Sequence, residues 1–260
     1  MTTHIYGNGP HIILINTSGD TYEIGKGDGT ITFAGDNNTV TVGNGDDVIE
    51  VVAGSGNTAT AGNGDDTIAF VGATDHNTVT AGNGDDTIDV GGTNNTVKVG
   101  NGDDTIRLPG SNNTVTAGNG DDTIAFDGDN NTVTVGNGKD LIEFVSGSGN
   151  TVTAGNGSHT VLLASAVSGN KVTLGSGKAT VTDSGTNNTI TIGNGAATVT
   201  AGLNDHITLG DGDATVNVLS DIITVGTGKD AFIFDRSSSG TNFSTISGFD
   251  AKHDTISISK

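Results

Sequence analysis

The chain contains no cysteine and no tryptophan, and only 2 prolines, 1 methionine and 2 tyrosines in 260 residues. Without cysteine there is no disulfide framework, no thiol nucleophile and no cysteine-type zinc site. Basic residues are also scarce: 10 Lys and Arg stand against 30 Asp and Glu, giving a formal charge of -20. Such a balance repels nucleic acid and anionic lipid and attracts divalent cations. Long apolar runs are missing too. The nearest, Ile12-Ile13-Leu14-Ile15, is four residues long and has no basic leader before it, so neither a Sec signal peptide nor a membrane span is expected.

What is abundant is glycine, 43 residues of it, with Val, Ile and Thr at regular intervals. Glycine-rich chains are often linkers, but recurring β-branched residues argue for strands. The run Val42-Gly43-Asn44-Gly45-Asp46-Asp47-Val48-Ile49 returns as Ala61-Gly62-Asn63-Gly64-Asp65-Asp66-Thr67-Ile68, and again around Gly82, Gly84 and Asp86; Gly100, Gly102 and Asp104; Gly118, Gly120 and Asp122; and Gly136, Gly138 and Asp140. Between these runs lies a second motif of the type Asn38-Thr39-Val40-Thr41, repeated at Asn57, Asn77, Asn95, Asn113, Asn131, Asn150, Asn170 and Asn188.

From each Asn to the sixth residue of the next glycine turn the distance is constant, as in 38 to 47, 95 to 104 and 188 to 197. The return distance varies, so insertions such as Gly72 to His76 are confined to one edge. A repeat of this length, whose units cannot bury a core alone, predicts an all-β, parallel β-solenoid with coils of about 18 to 20 residues. Strand alternation puts Ile124 inside with Thr123 and Ala125 outside, and Val133 inside between Thr132 and Thr134. The expected organisation is an N-terminal cap and first strand over 1–24, solenoid repeats over 25–235 and a closing segment over 236–260.

The half-coils match the glycine-Asp nonapeptide of calcium-binding β-rolls, and over roughly Gly25 to Asp235 the chain resembles the RTX (repeats-in-toxin) family of secreted bacterial proteins. The resemblance implies a right-handed roll that folds when calcium fills its turns. It also implies type I secretion without a cleaved leader; Asp230-Ala231-Phe232-Ile233-Phe234-Asp235 and the segment after it look like the closing part of such substrates. The implied ligands are Asp47, Asp66, Asp86, Asp104, Asp122 and Asp140, with carbonyls from Gly43, Gly45, Gly62, Gly64, Gly82, Gly84, Gly100, Gly102, Gly118, Gly120, Gly136 and Gly138. A hard cation wants six to eight oxygens, and an Asp at one place in six successive coils exceeds what turns alone require. Two departures are visible. The opposite edge carries Asn instead of Asp, which reads as an amide ladder rather than as glycosylation sites, and after Asp140 the acid position becomes His159, Ala179, Ala197 and Ala214. Calcium is therefore expected along one edge of the first half.

The outward pairs Thr39/Thr41, Thr58/Thr60, Thr78/Thr80, Thr114/Thr116, Thr132/Thr134, Thr151/Thr153 and Thr189/Thr191 resemble the flat faces of ice-binding solenoids and offer a face for ice or for a partner. Gly175-Ser176-Gly177-Lys178 echoes a phosphate loop but falls in the turn register. No catalytic constellation stands out among so many repeated acids. The functional expectation is an extracellular structural or adhesive component of a surface or biofilm matrix, with calcium as its cofactor and other copies, cell-surface polysaccharide or ice as partners. Calcium-dependent ice binding is the alternative, and a polysaccharide lyase or epimerase ranks third, because no insertion is long enough to wall a cleft.

Overall fold

A computed structural model describes residues 2–72, 74–235 and 243–259; residues 236–242 of the expected closing segment lie outside the described residues. The chain divides into two compact units, Met1–Thr134 and Val135–Lys260. No helix is present among the described residues, and so none is long and apolar enough to cross a membrane.

In the first unit, strands alternate between two long sheets, with a short third one formed by Gly54–Ser55 and Thr74–Asp75. One sheet contains Thr3–Tyr6, Thr21–Ile24, Thr39–Thr41, Thr58–Thr60, Thr78–Thr80, Thr96–Lys98, Thr114–Thr116 and then residues 132–134; each strand after Thr21–Ile24 follows a buried Asn or its equivalent. The other sheet contains His11–Ile15, Gly29–Phe33, Val48–Val51, Thr67–Phe70, Thr87–Val90, Thr105–Leu108 and Thr123–Phe126, the last five each led by an Asp. We call these the Asn-side and Asp-side sheets. Within the unit, successive strands of each sheet pair in parallel one coil apart, as in Ile88 with Ile106 and Val79 with Val97, and this pairing defines a parallel β-solenoid.

The second unit repeats the plan. Its Asn-side strands are Thr151–Ala154, Lys171–Leu174, Thr189–Ile192, Leu203–Leu209, Ser220–Thr224 and Thr245–Ser247; its Asp-side strands are Leu141–Phe144, His159–Leu163, Ala179–Asp183, Ala197–Thr200, Ala214–Val218, Ala231–Asp235 and Thr255–Ser259. Paired strands thus occur on both sides of 25–235.

The core follows from the alternation. Ile31, Ile49, Ile68, Ile88, Ile106 and Ile124 form one buried column, and Val40, Ala59, Val79, Val97, Val115 and Val133 another. The apolar run at the start is split by the same rule: Ile13 and Ile15 are buried while Ile12 and Leu14 are exposed. Because each coil contributes few apolar side chains, burial depends on neighbouring coils.

The Asn doublets have a division of labour. Asn37, Asn94, Asn112 and Asn130 adopt φ of 57°, 57°, 58° and 56°, a left-handed conformation that Asn tolerates better than most residues. The second Asn of each doublet, Asn38, Asn95, Asn113 or Asn131, turns inward and is buried. Where the first place is not Asn, Gly56 does the same work with φ 69° ahead of Asn57. The glycine turns are fixed by coil stacking: Gly84 has φ 144°, and a Cβ there would lie 2.0 Å from the Gly64 carbonyl oxygen.

Candidate functional site

Within the first unit, the sixth turn residue of each coil points into the interior. Asp47, Asp66, Asp86, Asp104 and Asp122 are at most 1% exposed. One oxygen of each is committed to the backbone of the coil before: Gly29 N–H donates to Asp47 Oδ1 at 2.7 Å, Asp47 N–H to Asp66 at 2.9 Å, Asp66 N–H to Asp86 at 2.8 Å, Asp86 N–H to Asp104 at 2.9 Å and Asp104 N–H to Asp122 at 3.0 Å. The other oxygen, Oδ2, is buried without a hydrogen-bond partner in Asp47, Asp66, Asp86 and Asp104. Buried polar atoms are normally satisfied, so four orphans in a row call for a physical cause.

The opposite edge supplies the control. Asn38, Asn57, Asn77 and Asn95 N–H groups donate to the Oδ1 of Asn57, Asn77, Asn95 and Asn113 at 2.8 to 2.9 Å, the same backbone bond in the same direction. Here the second side-chain atom is an amide nitrogen that can donate, as Asn38 does to Thr17 O at 2.8 Å, Asn95 to Gly91 O at 3.0 Å and Asn131 to Gly110 O at 3.0 Å; Asn57 Nδ2 alone is buried without a partner among those described. The amide ladder expected from the sequence is present. An ionised carboxylate cannot donate, so the Asp column keeps the first half of the pattern and lacks the second.

Electrostatics follow from that geometry. Burial pushes the Asp66 and Asp104 carboxyls up to about 7 and Asp86 up to about 6, against the pull of the backbone N–H each accepts and with help from neighbouring acids. Asp47 is raised for the same leading reason. Its column needs either protons or a cation to be neutral.

A calcium ion would find a line of ligands rather than a cage. Among the described residues no three acidic or histidine side chains are grouped so as to hold a metal; successive Asp side chains instead stand one coil apart, about 4.8 Å. Each interval offers the Oδ2 of two acids together with turn backbone, the oxygen chemistry that calcium prefers. Of the glycines named as carbonyl donors, Gly45, Gly64, Gly84 and Gly102 use their N–H groups to bind the Asn63, Asn83, Asn101 and Asn119 carbonyls of the following coil at 3.0 to 3.1 Å, and Gly100 O accepts from Gly118 N–H at 2.9 Å. Of the glycine carbonyls named as ligands, Gly100 O is thus engaged in stacking.

Asp140, in the second unit, stands apart from the other five. Its Oδ2 lies 2.9 Å from Nδ1 of buried His159, whose Nε2 lies 2.9 Å from Gly155 O. Both ring nitrogens face oxygens, an arrangement that favours the protonated ring. Burial opposes that charge, yet the bonds to Asp140 and Gly155 leave the His159 pKa raised. When protonated, this histidine supplies Asp140 with the positive charge that the acids of the first unit lack.

Two further features escaped the sequence reading. The fifth turn residues form an outer ladder in the opposite direction, with Asp46, Asp65, Asp85, Asp103 and Asp121 N–H groups donating to Oδ1 of Asp28, Asp46, Asp65, Asp85 and Asp103 at 2.7 to 3.1 Å. The adjacent Asp46-Asp47 type doublet thus splits into one exposed and one buried acid. The second feature is a group of buried acids in the second unit: Asp183, Asp205 and Asp221, all at most 2% exposed. Asp183 pairs with Leu163 in a core position, and a break in the apolar alternation of Ala179-Thr180-Val181-Thr182-Asp183 was the signal for it.

The Thr face is more regular than its motif suggests. Thr3, Thr21, Thr39, Thr58, Thr78, Thr96, Thr114 and Thr132 are aligned by register in one unbroken column. The neighbouring column runs Thr41, Thr60, Thr80, Lys98, Thr116, Thr134. In the second unit Thr153, Thr173, Thr191, Thr208 and Thr224 are aligned, while Thr151 and Thr189 are separated by Lys171 and followed by His206.

A family described as protein of unknown function (DUF3060) matches residues 74–129 and, in an overlapping placement, residues 90–144. The starts of the placements, 74 and 90, differ by 16 residues, close to one coil. No curated protein and no solved structure matches the chain.

Proposed function

We propose that the chain is a secreted calcium-binding β-solenoid, wound right-handed, that serves as a structural or adhesive component outside the cell. The observation that carries this reading is the row of buried, partnerless Oδ2 atoms at Asp47, Asp66, Asp86 and Asp104. In the cell interior, where free calcium is scarce, those acids repel one another and oppose stacking. Outside, calcium between successive members of the Asp47 to Asp122 column neutralises them, and the coils close. The charge of -20 and the absence of cysteine suit a protein stapled by metal rather than by disulfides. The extracellular setting and the type I route rest on the RTX resemblance.

The test is calcium titration of the chelated protein by calorimetry and circular dichroism, beside the variant Asp66→Asn/Asp86→Asn/Asp104→Asn. Asn fits this structural position, as the opposite edge demonstrates, so the variant should fold without calcium and bind several fewer ions. Equal calcium uptake by both proteins would sink the assignment.

The unbroken Thr column favours one second reading, calcium-dependent binding of ice. Hydroxyls repeating at about 4.8 Å between coils and about 6.7 Å within a strand form a lattice on a face that, from Thr39 to Thr134, carries Lys98 as its single charge. Shaped or halted ice crystals with calcium-loaded protein would favour this reading; unaltered growth would reject it.

A further inference from the structure

In the second unit the Asn column changes its chemistry. Asn150 and Asn170 N–H groups donate to the Oδ1 of Asn170 and Asn188 at 2.8 and 2.9 Å, after which Asn188 N–H donates to Asp205 Oδ1 at 2.8 Å and Asp205 N–H to Asp221 Oδ1 at 3.1 Å. The ladder continues, but its next two members are acids, before Ser244 Oγ accepts the Asp221 N–H at 3.0 Å. A third acid joins from the other sheet: Asp183 ends the strand Ala179–Asp183 in the column of Phe144 and Leu163. There it accepts Gly185 N–H at 2.7 Å and the Asn188 amide at 2.9 and 3.2 Å. Asn188 thereby gives Asp183 the hydrogen bond that Asn95 and Asn131 give to turn carbonyls.

The oxygens of this group are already served by donors. Asp205 Oδ2 accepts Gly202 N–H at 2.9 Å, and Asp221 Oδ2 accepts Leu219 N–H at 3.1 Å. The arrangement differs in that respect from the orphaned column of the first unit and does not invite a cation. No lysine, arginine or histidine among the described residues forms an ion pair with any of the three acids; Lys171 and His206, on neighbouring strands, are exposed on the outer face. Asn188 joins Asp183 and Asp205 directly, its backbone N–H bound to Asp205 Oδ1 and its amide to both oxygens of Asp183. Two buried carboxyls so joined, with no cation beside them, avoid facing like charges only when one of them carries a proton.

We propose that Asp183 and Asp205 share one proton, and that this proton makes the corner between residues 183 and 205 of the second unit a pH-sensitive latch. With the proton in place, Asp183 and Asp205 tie the end of one strand to the next coil of the amide ladder. Without it, two like charges face each other in a dry site, with Asp221 adding a third, and the corner opens. Burial first, then the charges of Asp183 and Asp221, push the Asp205 carboxyl up to about 7, and burial raises Asp183 as well. The folded state therefore binds more protons than the open state between the ordinary carboxylate range and about pH 7, and the latch weakens as pH rises through that window.

Hydrogen exchange at the Gly185, Asn188 and Gly202 amides tests this in the full chain, from about pH 5 to about pH 8, after correction for intrinsic rates. The opening constant should rise by up to about tenfold per pH unit, as for one released proton. In Asp205→Asn, the amide nitrogen replaces the shared proton and the slope should flatten. Gly202 N–H loses its acceptor in that variant, so basal protection falls by a constant factor and the slope with pH is the readout. Asp183→Leu, which copies Leu163 of the coil before, should flatten it as well. Carboxyl carbon chemical shifts in the unmutated protein give an answer that needs no variant: one proton should titrate far above the ordinary range and move both residues' signals. Independent titration of the two near 4, or an unchanged slope in both variants, would overturn the proposal. Repeating the exchange with saturating calcium separates this latch from the Asp column, because calcium should leave its slope intact.

Discussion

The two edges of the first unit place the same kind of side chain at the same structural position, with one atom changed. Asn95 and Asp104 each accept a backbone N–H from the coil before, Asn95 through Oδ1 from Asn77 at 2.9 Å and Asp104 through Oδ1 from Asp86 at 2.9 Å. Asn95 then donates to Gly91 O, and Asp104 has nothing to donate when ionised. The Asn edge is therefore largely satisfied from within, Asn57 Nδ2 being the exception among the described residues, whereas the Asp edge depends on what neutralises it. A repeat protein gains conditional stability by this substitution without any change of fold.

The largest test of that contrast is removal of the proposed calcium. If four sites between Asp47 and Asp122 each hold calcium at about ten times its dissociation constant, each contributes roughly 1.4 kcal/mol, and chelation should lower stability by several kcal/mol. Hydrogen exchange should place the loss on the Asp edge of the first unit, with far less change at 152–218, where Ala179, Ala197 and Ala214 take the acid's place. Equal loss of protection in both regions would remove the distinction between the edges.

Next in size is the reverse exchange, Asn95→Asp, which makes the good edge like the deficient one. It deletes the donor to Gly91 O and buries a charge, a defect expected to cost about 3 kcal/mol. Urea denaturation at about pH 8 should show it, and acidification should recover part of it by protonating the new carboxyl. A variant as stable as the parent at alkaline pH would mean that the Nδ2 bonds carry little of the ladder's stability.

A separate effect is expected from pH in the metal-free protein. Asp66, Asp86 and Asp104 have folded pKa values near 7, 6 and 7, above their unfolded value of 3.8. The folded state thus holds extra protons in this interval, so stability is greatest below about pH 4 and declines as pH rises through about 7. Asp86→Asn should reduce the decline. A rise in stability over the same interval would contradict the burial of these acids.

Much of this was readable from the sequence because a solenoid repeats its decisions. The constant step from Asn95 to Asp104 fixed which residues share a column, and alternation set Ile124 inside and Thr123 outside. The role of each doublet was less accessible. That Asn94 supplies a left-handed turn while Asn95 supplies the ladder depends on backbone dihedrals, and that Asp46 points out while Asp47 points in depends on the turn. His159 was visible as a departure, but its bond to Asp140 depends on the approach of coils. Asp183 sat in plain view as a polar residue at an apolar beat; its partners Asn188 and Asp205 come from different elements, so the sequence alone could not assemble the group.

The smallest expected effect lies on the outer face, where neither edge is touched. Thr116 is exposed on its strand, aligned with Lys98 and Thr134 of the neighbouring coils, and its side chain meets no part of the core. Thr116→Tyr keeps a good strand former at that place and should change stability by no more than about 0.5 kcal/mol, with calcium uptake unaltered. What should change is whatever uses the lattice, since a ring standing above the sheet prevents close approach of a flat surface. If the face meets ice, the freezing-point depression should collapse; if it meets another copy, oligomer size should fall in light scattering. Should a stable, calcium-loaded variant show neither loss, the Thr columns are solvent-facing strand alone, and the outer Asp46 ladder becomes the next surface to alter.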